Sequence, residues 1–101
     1  MDAQLRKGLL ELCVLAVLRE QDSYGYQIIK DVSDYIEISE STLYPILRRL
    51  ETEGKVESYS TEHNSRIRKY HRITELGLRT LHEFSGDKDK LIRLIGWIGG
   101  E

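Results

Sequence analysis

Apolar positions along this chain follow two periods, and the clearest stretch lies between Ser39 and Thr74. At about 100° per residue, Leu43, Ile46, Leu47 and Leu50 fall on one side of a helix. The opposite side carries Ser41, Pro45, Arg48 and Thr52, with Tyr44 on one flank and Thr42 and Arg49 on the other. Ser39 or Ser41 can cap this helix by accepting from first-turn amides. Pro45 costs little if Ser41 caps, and bends a helix begun at Ser39. Gly54 is placed as the left-handed terminator. Beyond it, residues 55–62 and 66–73 hold β-branched and aromatic residues on either side of His63-Asn64-Ser65, a hairpin pattern without an Asn-Gly pair.

The rest of the chain divides in the same way. Residues 4–19 predict a helix whose second half is apolar nearly all round, so it should pack inward on one face and against another chain on the other. Cys13 lies in this stretch as an inert buried thiol. Ser23 or Asp22 can cap a second helix at about residues 24–34, with Tyr26, Ile29 or Ile28, and Val32 facing inward. Gly25 in its first turn permits close approach of another segment. Tyr24 and Gln27 there either rest on a phosphate or simply pack the turn. Residues 35–39 alternate briefly, Ile36 and Ile38 in and Glu37 out, as a short strand able to pair with the hairpin. Thr74 caps the last helix, with Glu75 just inside it. Leu81, Phe84, Leu91, Ile95 and Ile98 keep one helical phase across Ser85-Gly86-Asp87, which reads as a single long helix with a soft middle, although Gly86 could end it.

Composition narrows the function. A length of 101 residues suits one domain with a modest core, and 40% hydrophobic with 32% charged residues is ordinary for a soluble protein. One Cys excludes an internal disulfide framework and fits a reducing cytoplasm. No signal peptide is expected, and the apolar run at 12–18 is too short to span a bilayer. His63, His71 and His82 have no metal-ligand spacing, and no phosphate-cradling glycine loop or nucleophile–base set assembles. An enzyme is not expected, nor a cofactor or metal. The net charge of −2 argues against nucleic acid until its distribution is considered: residues 63–73 hold Arg66, Arg68, Lys69 and Arg72 with no acid. Such a cationic patch on a mildly acidic body can take phosphates.

A helix with a hydroxyl–arginine face followed by a basic hairpin is the outline of a winged helix-turn-helix, an α+β fold that is mostly α. The residues that fill this outline, LRKGLLELCVLAVL at the start, YGYQI in the second helix, STLYPILRRLETEGKV and RKYHRITELG, resemble the PadR family of bacterial transcriptional regulators, in its short-tailed subgroup. The match runs from Leu5 to about Leu81. Two features depart from the family pattern: the wing tip HNSRI lacks a common Gly, and His71 replaces an aromatic after Tyr70. The resemblance implies a DNA-binding domain over residues 1–73, a dimerisation helix over 74–101, and a homodimer held by the first and last helices. It also implies repression at an inverted repeat in double-stranded DNA, released by a small aromatic or lipophilic effector.

On this reading the DNA-binding residues are Tyr24, Ser41, Thr42, Tyr44, Arg48, Arg49, Arg66, Arg68 and Lys69. Arg48 suits guanine, Arg49 is a phosphate clamp or an ion-pair partner, and Tyr70 is packing. An effector pocket would draw on Leu9, Cys13, Leu91, Ile95 and Trp97, residues that otherwise form the dimer seam. The competing function is a winged-helix protein-interaction module that does not bind DNA.

Overall fold

The computed structural model describes residues 1–101. Five helices and a small antiparallel sheet follow in the order α1 (Ala3–Glu20), β1 (Ser23–Tyr24), α2 (Gly25–Ser33), α3 (Glu40–Thr52), β2 (Val56–His63), β3 (Arg66–Ile73), α4 (Glu75–Gly86) and α5 (Lys88–Ile98). The sheet order is β1-β3-β2, so the basic return strand is central. No helix is long and apolar enough to cross a membrane.

The core is one cluster to which α1 contributes Leu10, Val14, Leu15 and Leu18, and α3 contributes Leu43, Ile46, Leu47 and Leu50. Ile28 and Val32 of α2, Ile38, Val56 and Leu81 complete it. The four α3 residues are those that helical spacing selects, and their burial fixes which face of α3 is left to solvent. α3 starts from Ser39, whose carbonyl accepts from Thr42 and Leu43. It ends at Gly54, at φ +75°, where the Lys55 amide returns to the Leu50 carbonyl and the Gly54 amide to that of Glu51. This paired closure satisfies carbonyls that a helix end leaves open. Thr74 caps α4 by accepting from the Gly77 amide, and its hydroxyl donates to the Gly54 carbonyl at 2.7 Å. One side chain therefore joins the end of α3 to the start of α4.

Four expectations need correction. No side chain caps α2 or α3: α2 starts from Tyr24, and Ser39 before α3 engages its hydroxyl with Ser41 and Thr42 rather than with a first-turn amide. The third strand is Ser23–Tyr24, paired with His71 and Tyr70, and residues 35–39 form no strand. The Tyr35 and Ile36 amides both return to the Val32 carbonyl, closing a turn off α2, although Ile38 is buried as its alternation requires. Tyr26 is 63% exposed, because a helix starting at Gly25 turns Ile28 and Val32 inward and sends Tyr26 the other way. The last helical stretch is divided at Asp87, whose amide closes on Phe84 while Leu91 starts the next ladder from the Asp87 carbonyl. Gly86 carries the backbone-entropy cost and Ser85 and Asp87 compete for helix hydrogen bonds, which is where a helix gives way. α5 then packs chiefly on α4, buries no residue, and belongs to a molecule 56 Å long and only 26 by 21 Å across.

Candidate nucleic-acid interface

α3 presents Ser41, Tyr44, Pro45, Arg48 and Thr52 to solvent, with Thr42 half-buried. Ser39 Oγ lies 3.0 Å from Ser41 Oγ and 3.2 Å from Thr42 Oγ1, gathering three hydroxyls at the start of the helix. Arg48 makes no ion pair, whereas its neighbour is engaged. Arg49 Nε stands 3.3 Å from a Glu53 oxygen and 3.5 Å from Glu11 on α1. Adjacent arginines thus differ by one helical step: Arg49 ties α3 to α1, and Arg48 projects outward. Tyr44 lies over α2, where a Cβ on Gly25 would meet its hydroxyl at 2.5 Å. Glycine is what lets the phenol settle there.

The wing is β2 and β3, in register from Val56↔Ile73 to His63↔Arg66. Its turn is the two residues Asn64 and Ser65, both left-handed at φ 50° and 64°. Two consecutive positive φ values make the tight turn that matches strand twist; Asn64 tolerates that region, and Ser65 holds it without the freedom a Gly would have there. Arg66 and Lys69 are exposed without ion pairs. Arg68 rests on Tyr24, its guanidinium carbon 4.1 Å from the ring centre. Tyr24 meets Tyr70 edge-on at 5.5 Å, and Tyr70 stacks on Tyr59 at 5.8 Å. Tyr59 donates to Asp22 at 2.6 Å, a bond that holds its phenol above the usual pKa. Arg72 pairs with Glu57 at 3.2 Å, so it is a wing brace rather than a free cation. Tyr24 therefore serves as the floor under Arg68, and Tyr70 belongs to the packing.

Behind the wing, His71 is 4% exposed and its Nδ1 faces Glu51 of α3 at 3.7 Å. Burial pushes the imidazole below its ordinary pKa more than the Glu51 charge raises it, so at neutral pH the ring is uncharged.

A second feature lies at the other end. Leu12, Cys13, Ala16, Leu81, Phe84, Leu91, Ile92 and Ile95 line an open trough of about 460 Å³, with Arg19 and Lys88 at its rim. The structure brings Cys13, Leu91 and Ile95 together there, and burial raises the Cys13 thiol pKa. It does not bring Leu9 or Trp97. Leu9 is half-buried elsewhere on α1, and Trp97, 75% exposed, lines a separate depression with Asp89, Lys90, Arg93 and Leu94. On α5, Trp97 is six residues from Leu91, or about 240° around the helix, which puts it on another face. Sequence reading also missed the Glu11–Arg49 tie and the Asp22–Tyr59 bond. Both join residues far apart in the chain, and no local pattern announces them.

Known proteins share this architecture. Residues 14–83 match the transcriptional regulator PadR-like family. A PadR family transcriptional regulator from Eggerthella lenta is 41% identical, with a TM-score of 0.82 and a match covering 94% of this chain and 85% of that one. A transcriptional regulator from Clostridium thermocellum is 30% identical with a TM-score of 0.81, covering 95% of each chain. An uncharacterized protein from Lysinibacillus sphaericus is 37% identical over 82 residues, 76% of this chain and 75% of the other. With its winged helix and its matched profile, the chain belongs to the PadR-like family of transcriptional regulators, which are DNA-binding proteins and not enzymes.

Proposed function

We propose that this chain is a cytoplasmic homodimeric repressor that reads an inverted-repeat operator with α3 and is released by a small aromatic or lipophilic effector. The observation that carries the DNA-reading part is the contrast on α3: Arg48 is exposed and unpaired on the same face as Ser41 and Tyr44, while Arg49 is tied down. Arg48 suits bidentate readout of guanine, and the hydroxyls of Ser41 and Thr42 suit base edges or phosphate. Arg66, Arg68 and Lys69 take backbone phosphates and set register rather than sequence. Tyr24 acts through Arg68 by holding its guanidinium.

The dimer reading rests on apolar surface. Ile92, Ile95 and Ile98 on α5 are 58–70% exposed, beside an apolar trough that α1 shares. A contiguous apolar face of this kind marks an interaction site, and a second copy supplies a matching one. An effector acts by entering where that seam meets Cys13, Leu91 and Ile95.

Fluorescence anisotropy with duplexes tiled across the gene's own promoter tests the proposal. The expected result is tight, salt-sensitive binding to one tile at two chains per duplex, reversed by planar apolar compounds. Equal binding to every tile, or one chain per duplex, counts against it.

A further inference from the structure

We propose that the first turns of α1 form a second phosphate clamp, in which Lys7 and Arg6 hold the DNA backbone on the flank of α3 opposite the wing. This rests on the DNA-reading function above. On α3, Thr42 and Tyr44 lie about 160° apart across the outer arc, which holds Ser41 and Arg48. The Tyr44 flank is the wing side: its phenol sits on Gly25, next in sequence to Tyr24, which carries Arg68. The Thr42 flank belongs to α1, where Arg6 and Lys7 line one depression with Thr42 and Pro45. The base-reading face is thus straddled by cations from two unrelated elements. A helix about 10–12 Å across fills a major groove about 12 Å wide, so its two flanks meet the backbones of opposite strands.

The charges on the α1 side are not cancelled. Arg6 donates to the backbone carbonyl of Glu37, a contact that orders the guanidinium without neutralising it. Lys7 is exposed and makes no ion pair. Among nearby acids, Asp2 accepts from the amides of Gln4 and Leu5 at 3.1 Å as the cap of α1, and Glu11 is engaged by Arg49. The exposed Glu40 of α3 and the exposed Glu37, whose carbonyl holds Arg6, are the remaining local anions.

Salt titration of binding separates the clamp from the function it serves. Wild type, Lys7→Ala, Lys7→Arg and Arg68→Ala are measured on the bound promoter duplex and on a scrambled duplex. Losing one phosphate contact flattens the slope of log affinity against log salt by about 0.9. Lys7→Ala is expected to show that change and to weaken both duplexes by the same factor, while Lys7→Arg retains wild-type behaviour. Phosphate-ethylation interference should disappear, in Lys7→Ala, at phosphates distinct from those lost in Arg68→Ala. Wild-type binding with an unaltered slope and affinity in Lys7→Ala overturns the clamp alone. A wild type that binds no duplex overturns the DNA-reading function, and the clamp with it.

Discussion

α3 and α5 are both amphipathic, of 13 and 11 residues, yet their apolar faces meet opposite fates. Leu43, Ile46, Leu47 and Leu50 of α3 are 0–3% exposed, whereas Ile92, Ile95 and Ile98 of α5 are 58–70% exposed. α3 is surrounded by α1, α2 and β2, so its apolar stripe is consumed by its own chain and its polar face is fixed outward. α5 follows a helix break and has chiefly α4 for company. Periodicity announces that a face is to be buried; it does not say by which chain. The polar side of one helix and the apolar side of the other are both left open.

The largest test of the contrast is a pair of substitutions. Leu50→Ala should cost about 2–5 kcal/mol of folding stability, read from urea unfolding, as expected for a cavity in a packed core. That loss should not depend on protein concentration. Ile95→Asp should leave the unfolding of an isolated chain near wild type and instead convert dimer to monomer in sedimentation velocity. An Ile95→Asp protein that stays dimeric removes α5 from the seam.

A smaller effect is expected at the junction of α2 and α3. Gly25→Ala puts a methyl where the Tyr44 hydroxyl now lies, and the flexible phenol swings away more easily than the helix moves. The fold should persist while DNA affinity falls by less than the about 1–3 kcal/mol of a lost bidentate base contact. Unfolding of the variant would show that Tyr44 supports the helix pair instead.

The pH dependence of the body should be milder still. The folded His71 imidazole lies below its ordinary pKa of 6.5, faced by Glu51, which favours its charge, and by Lys69, which opposes it. The unfolded chain therefore takes up a proton that the folded chain refuses. Stability from this group is complete above pH 6.5 and is lost as pH falls below that value toward the folded one. His71→Phe should flatten the urea midpoint across that window. An unchanged profile would place the titration elsewhere.

Much of the body was legible because its information is local. The α3 stripe, the Gly54 stop, the Thr74 cap and the two strands of the wing each follow from a few neighbouring residues. The turn at Asn64-Ser65 closes without a Gly, with Asn accepting positive φ and Ser65 taking it as well. What escaped is non-local or directional. Residues 35–39 alternate like a strand, but the Tyr35 and Ile36 amides close a turn, and Ser23–Tyr24 takes the place beside β3. Trp97 follows the apolar rhythm in kind but not in angle, and so leaves the group formed by Cys13, Leu91 and Ile95. The difference between Arg48 and Arg49 depends on Glu11, which the chain brings in from another helix.

The central claim is that α3 reads sequence while the wing holds backbone. Its most direct test compares Arg48→Ala with Arg68→Ala on the cognate duplex and a scrambled one, each at two salt concentrations. Arg48→Ala should lower cognate affinity by about 1–3 kcal/mol and leave scrambled binding unchanged, collapsing the ratio between them. Arg68→Ala should weaken both alike and flatten the salt slope. A cognate-to-scrambled ratio that survives Arg48→Ala intact would contradict the account.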